Sequence, residues 1–219
     1  MMNKALPLLL ALAGALSAVM PAQAQEDKGA QKAAMCIGCH GIVGYQASFP
    51  EIYKVPMISG QNAKYIVAAL TAYKKGERKH PTMRAIAASL TDADMADLAA
   101  HYEKHGASSS VKPVADTPAA QPSAEVAALL AKGACASCHG PNFSKPIDPS
   151  YPKLAGQHGD YLAAALRAYN TTGNPNLGRG NAIMAGQVKQ FKNAELKAIA
   201  NYLASLPGEL HTVPQAKFK

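Results

Sequence analysis

Cys36-Ile37-Gly38-Cys39-His40 and Cys135-Ala136-Ser137-Cys138-His139 are two occurrences of one pattern, Cys-x-x-Cys-His. It is the attachment sequence for a c-type haem. Two thiols three places apart can each bond one vinyl-derived carbon of the same porphyrin, and the adjacent imidazole then lies where it can ligate iron. The chain has 4 cysteines, all within these two motifs, so none is left for a disulfide framework. A lone Cys-x-x-Cys can also be a redox pair, and two of them the halves of a four-cysteine zinc site. A redox pair has no need of a His directly after its second Cys, however. Zinc ribbons usually separate their pairs by about 15 to 20 residues, whereas here nearly a hundred intervene. The expectation is two covalently bound haem c groups, with iron ligated by His40 and His139.

Haem attachment of this kind needs an exported chain. Lys4 precedes an apolar run from Ala5 to Val19, and Ala22-Gln23-Ala24 reads as a cleavage site. Residues 1–24 are therefore expected to be a signal peptide. The run is short for a membrane span, and no later stretch approaches the necessary length. The mature protein is expected in the periplasm. The formal charge of +8 falls by one when Lys4 is removed. Haem propionates lower it further. This modest, dispersed excess suits acidic protein surfaces or anionic headgroups and gives docking a salt-screened electrostatic component. It does not indicate nucleic acid, since no dense Lys/Arg run with interleaved aromatics occurs. With Trp 0 and Phe 4, each half is short of apolar bulk that a buried porphyrin would supply.

The chain repeats one plan. Residues 25–105 form a first domain and 124–219 a second, joined by a Ser-, Ala- and Pro-rich linker over 106–123. An Ala-rich helix leads into each motif, over Asp27 to Met35 and Glu125 to Ala134. A Gly/Pro-rich loop follows, ending in Pro56-Met57-Ile58-Ser59-Gly60-Gln61 and Pro152-Lys153-Leu154-Ala155-Gly156-Gln157. Next comes a helix whose stripe, Tyr65, Ile66, Ala69, Leu70 and Tyr73, recurs as Tyr161, Leu162, Ala165, Leu166 and Tyr169. That spacing makes one apolar face, read as a wall of the haem pocket with Tyr hydroxyls near propionates. A last helix opens on a Thr91/Asp94 capping box in the first copy and on Asn193 in the second. No convincing alternating strand pattern is present, so the fold class is all-α.

The repeat also selects the sixth ligand. The second copy holds one methionine, Met184, and aligning the closing helices places it opposite Met83. Met35, Met57 and Met95 face Ala134, Lys153 and Leu196 and are read as packing residues. His80, His101, His105, His158 and His211 have no counterpart in the other copy and are read as surface residues. The expected iron ligands are thus His40 with Met83 and His139 with Met184. Pro56 and Pro152 are candidates for the carbonyls that orient the two imidazoles.

These features together resemble the cytochrome c4 family of dihaem class I cytochromes. The resemblance is carried by the two Cys-x-x-Cys-His motifs, Gly60-Gln61, Gly156-Gln157, Met83, Met184 and Leu90-Thr91-Asp92-Ala93-Asp94. It implies two tandem cytochrome c domains related by a pseudo-twofold, His/Met ligation in both, and electron delivery to a terminal oxidase at the membrane surface. A quinol-oxidising complex is a further implied redox partner, and a monomer is expected. The chain departs from the family in a longer loop over Gly41 to Pro56, in an expansion over Asn174 to Gly180, and in Phe191-Lys192-Asn193. Two readings stand beside the carrier: the electron-accepting subunit of a periplasmic dehydrogenase, and a dihaem enzyme such as a peroxidase. The second needs an open iron site and a nearby general acid or base, so methionines in both copies favour a protein that is not an enzyme.

Overall fold

The computed structural model describes residues 27–107, 114–118 and 120–214, so the expected leader lies outside the described residues. The first copy runs through α1 (Lys28–Lys32), α2 (Ala34–His40), β1 (Gln46–Ala47), β2 (Tyr53–Lys54), α3 (Ala63–Lys74), α4 (Pro81–Ala88) and α5 (Asp92–Ala107). The second contains α6 (Ala124–Lys132), α7 (Ala136–His139), α8 (Gly159–Ala168), α9 (Ala182–Val188) and α10 (Asn193–Ser205).

The helix leading into each haem motif is broken rather than continuous. Asp27 caps α1 by accepting from the Ala30 amide at 3.0 Å, and the chain then steps through Ala33 into α2, which carries the motif. In the second copy the break is sharper, because Ala134 has φ 45° and sets α7 apart from α6. The long loop after the first motif contains an antiparallel pair, Gln46 opposite Lys54 and Ala47 opposite Tyr53. Two residues per strand are too few to show alternation, so the periodicity could not announce it.

Each copy has its own core, organised by its closing helix. Met95, Leu98 and Tyr102 of α5 are 1%, 1% and 4% exposed, and the matching Leu196, Ile199 and Leu203 of α10 are 1%, 3% and 4%. Burying each such side chain contributes roughly 1.5–3 kcal/mol. The capping box opening α5 forms as expected: the Thr91 amide donates to Asp94 at 2.9 Å, and the Asp94 amide to the Thr91 hydroxyl at 3.1 Å. The start of α10 differs. Lys192, not Asn193, is the cap, and its amide donates to Glu195 at 2.6 Å. The Glu195 carboxylate, three places on, thereby satisfies the cap residue's own amide, the reaching-back half of a capping box.

Helix α1 lies against α5 so closely that Gly29 is obligatory. A Cβ there would stand 2.3 Å from the Asp97 carbonyl oxygen and 2.4 Å from His101 Cβ. Gly29→Ala should therefore destabilise the protein by roughly 1–3 kcal/mol through overpacking, outweighing the gain of about 1 kcal/mol in helix propensity. Thermal unfolding of the holoprotein checks this: at about 2–4 °C per kcal/mol for a chain of this size, an unchanged melting temperature would mean that α1 is free to lift.

The copies are locked together by the two Gly-Gln phrases. Gln61 Nε2 donates to the Lys153 carbonyl at 3.1 Å while its Oε1 accepts from the Lys153 amide at 2.9 Å. Gln157 does the same to Met57, at 2.8 and 3.0 Å. Each side-chain amide thus stands in for a peptide group of the opposite domain, and the two exchanges are related by the pseudo-twofold. Both glutamines are 4% exposed. Around them Arg167 pairs with Glu51 at 3.0 Å and the Lys54 amide donates to Asp160 at 3.0 Å, so the hairpin of the long loop leans on α8. The described part of the linker lies on the second domain, with the Ala115 carbonyl accepting from Asn142 at 2.6 Å and that of Ala120 from the Tyr202 hydroxyl at 3.1 Å.

Candidate haem centres

His40 is the last residue of α2 and His139 the last of α7. Returning loops bring proline carbonyls to both: His40 Nδ1 is 2.8 Å from the Pro56 oxygen and His139 Nδ1 is 3.1 Å from that of Pro152. A carbonyl can only accept, so Nδ1 carries the proton and Nε2 keeps its lone pair. Burial lowers both imidazole pKa values, against the opposing pull of the proline carbonyls. Each ring is therefore held neutral, in one tautomer and one orientation, the state an iron ligand requires. The carbonyls anticipated at Pro56 and Pro152 are the ones found.

The four cysteines are half-buried and form no disulfide. Burial pushes the Cys36 and Cys135 thiols upward. The two Cys-x-x-Cys pairs also sit in separate domains, and no group of three or more His, Cys, Asp or Glu able to hold a metal ion occurs among the described residues. A half-buried pair of thiols beside a neutral, oriented imidazole fits thioether attachment of haem.

Met83 and Met184 occupy the same place in equivalent helices, the third residue of α4 and of α9. In each, the cap side chain accepts from the methionine amide: His80 Nδ1 from Met83 at 3.4 Å, Asn181 Oδ1 from Met184 at 3.0 Å. Pro81 begins α4, where its missing N–H costs nothing. Both methionines are half-buried. Of the remaining methionines compared in the repeat, Met95 is a core residue at 1% exposure, Met57 is half-buried beside Gln157, and Met35 is 49% exposed and so packs little.

The five unmatched histidines are not surface residues. All are at least half-buried. His80 caps α4 and meets Tyr53 edge-on at 6.4 Å, and His158 stands at the residue before α8 without a side-chain capping bond. His101 pairs with Asp27 at 2.7 Å and stacks on His105, which is bonded to Ser59 at 3.2 Å. The His211 amide donates to the Ser59 carbonyl at 3.2 Å, tying the end of the second copy to the first. Lacking a counterpart in the repeat excluded these residues as paired ligands but did not predict exposure.

Arg78 and Arg179 escaped the sequence reading. Each stands five places before its methionine, so the comparison that selected Met83 and Met184 would have found them too. Arg78 Nη2 donates to the Tyr65 hydroxyl at 3.0 Å and Arg179 Nη2 to that of Tyr161 at 3.1 Å.

Two helical domains, each presenting a Cys-x-x-Cys-His motif with an oriented imidazole and a methionine helix, define a dihaem c-type cytochrome. The Cytochrome c family profile matches residues 26–104 and 123–207. Cytochrome c4 of Azotobacter vinelandii is 31% identical over 94% of this chain and 100% of its own length. A protein of Stutzerimonas stutzeri strain A1501, described as a thiosulfate dehydrogenase electron acceptor, is 32% identical over 90% of this chain and 94% of its own. The Acidithiobacillus ferrooxidans cytochrome c4 structure superposes with a TM-score of 0.56 at 27% identity, over 80% of this chain and 99% of that one. The chain belongs to the cytochrome c4 family. It is a dihaem electron carrier with two covalently bound haem c groups.

Proposed function

We propose that this chain carries electrons through the periplasm from a reductase to a terminal oxidase, with Cys36, Cys39 and His40 serving one haem and Cys135, Cys138 and His139 the other. Met83 and Met184 complete the two iron sites. The haem supplies one-electron chemistry when bound; the chain's own residues set its conditions. Pro56 and Pro152 hold the imidazoles in the ligating tautomer, and the capped starts of α4 and α9 hold the methionines. His40 with Met83 and His139 with Met184 would hold the two haem irons, and ligands fixed in this way would keep reorganisation small, which favours a carrier over an enzyme. The observation that carries this reading is the twice-repeated bond from His Nδ1 to a proline carbonyl.

The division into residues 25–105 and 124–219 with a linker over 106–123 belongs to the same proposal, as do cleavage after Ala24, a monomeric state and association with the membrane surface. Among the described residues no helix is long and apolar enough to cross a membrane. The thiosulfate dehydrogenase electron acceptor among its relatives supports a second reading, in which the donor is a periplasmic dehydrogenase. Stopped-flow mixing tests both. Ferrous protein should be reoxidised by oxidase-containing membranes, and ferric protein should be reduced by a thiosulfate dehydrogenase with thiosulfate only if the second reading holds. Neither ferrous haem should take up carbon monoxide; rapid uptake at either would replace the carrier with an enzyme. N-terminal sequencing of the exported protein should begin at Gln25.

A further inference from the structure

The carbonyls of Tyr102 and Leu203 each accept from the glycine of their own domain's Gly-Gln phrase, Gly60 at 2.8 Å and Gly156 at 2.9 Å. The two residues therefore hold the same place in the repeat, on the closing helices α5 and α10, and each is 4% exposed. Each also belongs to the core cluster against which the first cysteine of its haem motif packs, Cys36 in one copy and Cys135 in the other. They differ in one respect: Tyr102 brings a hydroxyl where Leu203 brings only methyl groups.

That hydroxyl is buried and has no hydrogen-bond partner of ordinary geometry among the described residues. An unpaired buried hydroxyl is destabilising, and leucine at the matching place shows that the position packs without one. The ring itself is fixed, with His101 edge-on at 5.1 Å and His105 at 6.1 Å. Cys36 is the side chain that bears on the hydroxyl, and burial together with Cys36 raises its pKa far above the ordinary phenol value. It therefore keeps its proton at neutral pH and can donate. Tyr102 in turn opposes the upward push of burial on the Cys36 thiol, as a donor aimed at sulfur does. Thioether attachment removes the hydrogen of Cys36 Sγ and leaves its lone pairs, so the sulfur is then an acceptor only. In the second copy the nearest equivalent is Ser137, 3.9 Å from Cys138 Sγ, but its hydroxyl proton goes to the Ala134 carbonyl at 2.6 Å.

We propose that Tyr102 tunes the first haem, its hydroxyl donating to the thioether sulfur that Cys36 forms. The inference rests on the haem assignment above. A hydrogen bond to a sulfur attached to the porphyrin draws electron density from the macrocycle, favours the ferrous form and raises that haem's potential. Leu203 gives the Cys135 sulfur no such donor, so one hydroxyl sets two otherwise matched centres apart.

Tyr102→Phe keeps the ring and removes only the hydroxyl. Redox titration of the holoproteins, with the haems assigned by paramagnetic NMR, should show the first haem's ferrous/ferric equilibrium lowered roughly threefold, or about 30 mV at 59 mV per tenfold for one electron. A fall larger at the first haem than at the second supports the proposal; no fall at the first, or an equal or larger fall at the second, overturns it. Resonance Raman supplies a readout that packing alone does not move. After full exchange into D2O the thioether C–S stretch of the unmodified protein should shift, and Tyr102→Phe should reduce that shift. A band that D2O leaves in place, or a shift that the substitution leaves unchanged, overturns the bond. Whole-protein mass separates the two levels: a chain without two covalent haems would remove the haem assignment, whereas two attached haems with unshifted potentials in Tyr102→Phe would remove the hydroxyl bond alone.

Discussion

Met184→Ala should create carbon monoxide binding at one haem only and remove that haem's share of the sulfur-to-iron charge-transfer band. Met83→Ala should do the same at the other. The motive is positional: each methionine is the third residue of a short helix whose cap accepts from the methionine amide. Replacing either by His should keep the site closed yet lower its potential, because thioether sulfur favours ferrous iron more than a second imidazole does. Axial ligands move haem potentials over about 0.8 V, so the fall should exceed a tenfold change in the equilibrium, about 59 mV. Met95→Ala is the demanding control. Met95 is 1% exposed and its sulfur accepts from the Thr71 hydroxyl at 3.7 Å, so truncation should cost about 2–5 kcal/mol of stability while leaving the band intact. A band at full strength in Met184→Ala, with no new ligand binding, would remove Met184 from the iron.

The double variant Gln61→Ala, Gln157→Ala should separate the two domains without unfolding either. The glutamines together make four hydrogen bonds to the backbone of Met57 and Lys153, each reaching into the opposite domain. Truncation leaves amide and carbonyl groups unpaired at a buried boundary, at about 1–3 kcal/mol each where water cannot reach them. The outer contacts, Arg167 with Glu51 and Lys54 with Asp160, are partly exposed and worth little alone. Small-angle scattering of the holoprotein should show a larger radius of gyration, while far-UV circular dichroism and both haem spectra stay unchanged. An unaltered scattering curve would mean that the boundary is held by its other contacts, the Lys79–Gly178, Gly180–Glu77 and His211–Ser59 backbone bonds among them, and not by the glutamine exchange.

What could be read from the chain alone was whatever is written locally or twice. The haem motifs are local because thioether spacing constrains three neighbouring residues, and His40 and His139 followed directly. Met83 and Met184 needed the repeat, which separates a candidate ligand present in both copies from methionines present in one. The Thr91/Asp94 box was legible because both partners lie in one helical turn. Its counterpart at Lys192 was misplaced by one residue, since Asn193 is the better intrinsic cap and only the Glu195 contact shows where the helix begins. The hairpin in the long loop was illegible, as two-residue strands leave no alternation.

Gln61 and Gln157 were visible as a matched phrase, yet nothing in a sequence says that a side-chain amide will replace a peptide group in the other domain. Arg78 and Arg179 were equally matched and equally silent, because a guanidinium reads as a solvated surface charge until folding buries it against tyrosines and against its own symmetry mate. The histidines expected at the surface are half-buried for a related reason, with His101 held by Asp27 and His105 by Ser59, partners distant in the chain. The sequence by itself determined the covalent chemistry and the helical class of the fold, and it singled out the candidate ligands, because these depend on spacing within a turn or on repetition. Tertiary structure alone decided which charges and amides meet at the boundary, because burial, and with it the cost of an unpaired polar group, is a property of the packed domains and not of any stretch of chain.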